Sequence, residues 1–107
     1  MNNINEKMAK VMGWHSGKDP MHGLDCWDNK SNKCAKLKKD WHPTDKGSLN
    51  QAMMCADKLH EYYQSKSDDG THWFLCRKDK LSVWYSRAVD TIEELPLAIC
   101  ETILKTT

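Results

Sequence analysis

The sequence predicts an α+β protein with element order α-β-β-α-β-β-α, its mainly antiparallel sheet packed with helices as a sandwich. Three observations lead there. Apolar residues recur at helical spacing near the start, the middle and the end of the chain. Between these stretches lie short runs of aromatic and branched residues bounded by Asn, Asp, Ser and Gly. A length of 107 residues, with no internal repeat and no linker, fits one domain spanning 1–107.

The first helix is expected over residues 4–12. Ile4, Met8, Val11 and Met12 share one face, Asn3 and Glu6 are spaced as a capping box, and Gly13 is a natural stop. Residues 14–23 carry loop punctuation, including Gly17 and Pro20. A hairpin follows, with strands over 24–29 and 33–38 around a turn at 29–32. Pro43 then pushes His42 into an extended conformation and breaks regular structure.

Ser48 and Gln51 are placed to cap a second helix. Leu49, Ala52, Met53, Ala56, Leu59 and Tyr63 carry its helical period to about residue 65. Ser67-Asp68-Asp69-Gly70 is a turn. A second hairpin covers 72–78 and 81–88, joined by Asp79-Lys80. Thr91 and Glu94 form a capping turn before a last helix over 95–105. Pro96 fits its first turn, and Ile92, Leu95, Ile99 and Ile103 form its buried stripe.

Only 39% of residues are hydrophobic, which is sparse for a small core. Five Trp compensate, each able to bury on the order of 200 Å². The formal net charge of +1 provides no global field toward DNA or an anionic membrane, so nucleic acid is disfavoured as a partner. The local exception is Lys30, Lys33, Lys36, Lys38 and Lys39. They read first as a solvated strand face and second as an anion or nucleic-acid patch. No stretch is long and apolar enough to span a membrane, and the N-terminus has no signal-peptide pattern. Five Cys, an odd number at irregular spacing, point to reduced thiols in a cytoplasm. Cys55 and Cys100 fall on helices among apolar residues and read as small core residues.

Three segments together carry a family likeness. Residues 4–14 form a short opening helix ending in Met12-Gly13-Trp14. Trp41-His42-Pro43-Thr44-Asp45 followed by Asn50-Gln51-Ala52 enters the middle helix. Ala88-Val89-Asp90-Thr91 precedes Leu95-Pro96-Leu97-Ala98-Ile99-Cys100. In order and spacing the chain resembles the bacteriophage family called the phage ABA sandwich domain. The basic, Cys-rich stretch 21–39 and the extra Ile92-Glu93-Glu94 depart from that pattern. The resemblance implies a phage or prophage protein in the cytoplasm of a bacterial host. It implies no enzyme and no cofactor.

The residues themselves argue against catalysis. His72 and Cys76 are four apart on a predicted strand, so a Cys-His pair is geometrically allowed, but five Cys and five His give such pairs by chance. There is no phosphate loop and no nucleophile elbow. His22, Cys26, Cys34 and His15 are the only metal candidates. They lack a Cys-x-x-Cys knuckle and are expected in poorly structured chain, so no metal is assigned.

The second hairpin is more informative. Trp73, Arg77, Trp84, Tyr85 and Arg87 lie on it, and its arginines are the chain's only two. With Trp41 and His42 they form the candidate ligand site, because aromatic faces stack on bases and guanidinium forks grip phosphate. The competing reading has Trp73, Trp84 and Phe74 filling the core.

Two functions follow. The first is a non-catalytic counter-defence protein that sequesters a small anionic, nucleotide-like signal in a pocket at a homo-oligomer interface. The second is an interaction module that binds and blocks a host or phage protein.

Overall fold

The structure, a computed structural model, describes residues 3–59, 61–80 and 83–106. Among the described residues there are three α-helices and two three-stranded antiparallel sheets, which places the chain in the expected α+β class. The chain divides into two compact units, Met1–His42 and Pro43–Thr107.

The first unit opens with α1 (Ile4–Val11). Met8 and Ala9 are its buried residues. Gly13 ends the turn in the left-handed region at φ 83°, and Trp14 N donates to the Ala9 carbonyl at 3.1 Å. Asn3 occupies the cap position, but its side chain makes no capping bond. The three strands are β1 (His15–Lys18), β2 (Asp25–Asp28) and β3 (Cys34–Leu37), paired in that order.

β1 replaces part of the expected loop. Punctuating residues outnumber strand formers there, yet the ladder to β2 captures them, and Gly17 sits opposite Cys26. The β2–β3 hairpin falls where the sequence puts it. Asn29 organises its turn by accepting bonds from Ser31 N at 2.9 Å and Lys33 N at 3.1 Å. Trp41 closes the unit, its indole donating to the Asn5 carbonyl at 2.8 Å and its ring lying 4.8 Å from Trp14.

The second unit holds α2 (Leu49–Ala56), β4 (Glu61–Lys66), β5 (His72–Arg77), β6 (Tyr85–Val89) and α3 (Leu95–Leu104). The largest correction lies here. α2 stops at Ala56 rather than near residue 65, and the expected last turns become strand β4. The helical match of Leu59 and Tyr63 is coincidental. Tyr62, Gln64 and Lys66 alternate with Tyr63 and Ser65, and pairing with β5 uses that alternation. Ser48 caps α2 in position, but with no side-chain capping bond.

β6 begins at Tyr85. The expected strand start at Leu81 and Ser82 lies outside the described residues. The Thr91–Glu94 capping box is present and turns the chain into α3 through a 3-10 turn at Ile92–Glu94. Ile92 is thereby excluded from the buried stripe and is exposed, whereas Leu95, Ile99 and Ile103 are fully buried. α3 packs on β5, β6 and α2, which accounts for its apolar residues on more than one side. Phe74 and Cys76 point from β5 into this core, and Cys55 and Cys100 are buried as expected.

Candidate binding face

Register divides the predicted site between the two sides of the second sheet. Pairing sets Glu61 opposite Arg77, Tyr63 opposite Leu75, and Ser65 opposite Trp73. These residues alternate with the buried Phe74 and Cys76, so they stand on the open side, away from the core. Trp73, Arg77 and Trp84 therefore share one face. Trp84 stacks on Tyr63 with ring centroids 5.7 Å apart at 27°, and the Arg77 guanidinium carbon lies 4.8 Å from the Trp84 ring centre.

The arginine is already engaged. Its Nε donates to Glu61 Oε1 at 2.8 Å, Nη2 reaches the same carboxylate, and Nη1 donates to the Lys80 carbonyl at 2.9 Å. Tyr63 also donates its hydroxyl to Glu61, and that bond to a carboxylate pushes the phenol's pKa upward. The result is a connected platform of Tyr63, Trp84, Arg77 and Glu61. Tyr63 is 54% exposed, Trp73 39% and Trp84 38%. Trp73 and Trp84 thus lie outside the core, and Phe74 alone of the three aromatics fills it.

Tyr85 and Arg87 are on the other side. Tyr85 pairs with Cys76 and Arg87 with Phe74, so both share the helix-facing side. Arg87 donates to Glu101 on α3 at 3.2 Å. Beside it is a cleft of about 310 Å³ lined by Lys46, Arg87, Glu93, Glu94, Leu97 and Glu101, among others. Three carboxylates face two cations there, an unfavourable setting for an anionic ligand.

Trp41 and His42 belong to the first unit. Trp41 is 3% exposed and bonded through its indole nitrogen, so it packs rather than presents a stacking surface. His42 is half-buried. Of the lysine cluster, Lys38 donates to Ser16 Oγ at 2.6 Å and lies 4.5 Å over the Trp27 ring, which ties it to the sheet. His72 and Cys76 do share a face, but Cys76 is buried and desolvation pushes its thiol up to about 11, which disarms it as a nucleophile. Cys26 donates its thiol to Asp28 at 3.0 Å, and that bond to a carboxylate, with burial and neighbouring Cys34, pushes it up to about 12.

Two members of the platform, Glu61 and Tyr63, lay hidden in the expected helix. The signal that could have revealed them is the β-prone pair Tyr62-Tyr63. Among the described residues, no helix is long and apolar enough to cross a membrane. No protein-family model, no curated protein and no solved structure matches this chain.

Proposed function

We propose that the chain is a non-catalytic bacteriophage accessory protein that binds and blocks a host or phage protein through the open face of its second sheet. The observation that carries this reading is the exposed Tyr63–Trp84 stack, continued by Trp73 and by an Arg77 held rigid against Glu61. Aromatic residues and arginine concentrate in the energetic centres of protein interfaces, and pre-ordered side chains lose little entropy on docking. With Glu61 neutralising Arg77, this face offers apolar area and shape rather than a spare positive charge.

The test is affinity purification from host lysate followed by reconstitution with the purified partner. A stoichiometric complex that Trp84→Ala weakens by about 30-fold or more, the mark of a hot spot worth about 2 kcal/mol, supports the reading. A complex indifferent to both Trp73→Ala and Trp84→Ala overturns it.

The second reading is sequestration of a nucleotide-like anion by a homo-oligomer in a counter-defence role. It is favoured by one feature, a guanidinium over the exposed Trp84 indole, with the exposed Trp73 further along the same face. It requires the ligand's phosphate to displace Glu61 from Arg77. Native mass spectrometry of gently purified protein decides it, through a retained mass of several hundred daltons or its absence.

A further inference from the structure

We propose that Cys26, Asp28, Cys34 and His15 form a zinc-type cation site on one face of the first sheet. The sequence places His15 in loop and the other three on the expected hairpin; the structure places all four on three paired strands. Cys26 and Asp28 are two apart on β2 and emerge on the same side, where the thiol and the carboxylate are 3.0 Å apart.

A register shift at Trp27/Asp28 brings in the third ligand. Cys26 pairs with Leu37 and Trp27 with Lys36, so a regular ladder would pair Asp28 with Ala35. Instead Asp28 pairs with Cys34. This one-residue bulge turns the Cys34 thiol onto the Cys26 and Asp28 side, because a slip of one residue reverses the face of a strand. The ligand atoms of the three residues all lie within 4.8 Å of one another. Atoms bound at ~2.3 Å to one tetrahedral ion lie ~3.8 Å apart, so small side-chain rotations close the set.

Two features of β1 complete it. Gly17 leaves room for the carboxylate: a Cβ there would fall 2.0 Å from Asp28 Oδ2. His15 stands directly opposite Asp28, so its imidazole leaves the sheet on the same side; it lies outside the close three-residue set and would swing in as the fourth donor. Two sulfurs, one nitrogen and one carboxylate oxygen suit zinc rather than calcium or magnesium, which prefer oxygen alone. Cys34 is exposed, which gives an ion a way in. Lys36, opposite Trp27, and Lys38, over the Trp27 ring, lie on the other side of the sheet.

Cobalt titration of the reduced full-length chain tests the site. One equivalent is expected to give thiolate-to-cobalt charge-transfer absorption and tetrahedral ligand-field bands, both abolished by added zinc. Cys34→Ser should remove the charge-transfer contribution of one thiolate and weaken binding at least tenfold. Since Cys34 is exposed, this variant keeps the core intact, unlike Cys26→Ser. His15→Ala should weaken binding and alter the ligand-field bands, and Cys55→Ser should leave the spectrum unchanged. Absence of tetrahedral bands, or bands that survive Cys34→Ser unaltered, overturns the proposal. So does a chain that joins Cys26 to Cys34 as a disulfide, seen as loss of two hydrogens, and takes up no cobalt after reduction.

Discussion

Glu61 and Arg77 stand directly opposite each other on β4 and β5, and the carboxylate accepts from Arg77 Nε at 2.8 Å while the guanidinium lies against the Trp84 ring. This pair joins the edge strand β4 to the central strand β5 on the open face. Arg77→Ala removes the ion pair, the bond to the Lys80 carbonyl and the contact with Trp84 together. The side chains are only 20% and 28% exposed, so a loss of about 1–2 kcal/mol is expected by urea denaturation, more than for a fully exposed pair. Arg77→Lys should recover only part of it, because an ammonium cannot reproduce the planar fork.

Phe74 is fully buried at the centre of the second unit. Phe74→Ala is expected to cost about 3–5 kcal/mol in chemical denaturation, a large part of a small protein's stability. The exposed Trp73→Ala should cost less than about 1 kcal/mol. Equal losses at both positions would contradict the assignment of faces.

Trp41 tests the first unit. Trp41→Phe keeps a ring near Trp14 but leaves the Asn5 carbonyl without its indole donor. A loss of about 1–3 kcal/mol is expected, with faster amide exchange in α1 relative to β1–β3.

The cysteines give the alkaline limb of a pH–stability profile. Burial pushes Cys76 up to about 11 and Cys55 up to about 12, from an ordinary 9.0. Above pH 9 the unfolded thiols lose protons that the folded ones retain, so stability is full below pH 9 and declines as pH rises toward 11 and 12. Asp69 contributes at the acid end. Its bonds from Ser67 Oγ and Thr71 N hold it down to about 2, so its contribution is present above its ordinary 3.8 and is lost as pH falls toward 2. Thermal melting across pH 2–12 checks both limbs. Cys55→Ala should flatten the alkaline decline, and Asp69→Asn should flatten the acid one.

Gly17→Ala probes the close approach of β1 to Asp28. A methyl group there meets the carboxylate, which has to rotate away from Cys26. The expected cost is about 1–3 kcal/mol of overpacking, read from thermal denaturation.

The α+β class, α1, the β2–β3 hairpin, the β5 strand and α3 were legible from the sequence, because each rests on local pattern. Periodicity, the Asn29 turn, and the Thr91 and Pro96 signals act over a few residues and agree with the tertiary environment. Helix α2 was legible at its start and not at its end. Leu59 and Tyr63 fit a helical period by chance, and only pairing with β5 draws 61–66 into a strand. The composition of the candidate surface was half legible: the sequence points to Trp73, Arg77 and Trp84, which share the face, but Tyr85 and Arg87 alternate to the opposite side and Trp41 is spent on packing.

By itself the sequence determined the element types where side-chain period and turn chemistry are strong, and the aromatic and arginine content of the second hairpin. Tertiary structure decided which of those residues meet. Strand register assigns every side chain to one of two faces, and a shift of one residue exchanges them. That is why Glu61 and Tyr63 joined Arg77 and Trp84, and why a bulge beside Asp28 turned Cys34 toward Cys26. Neither outcome is encoded in spacing along a single strand, since each depends on the residue across the ladder.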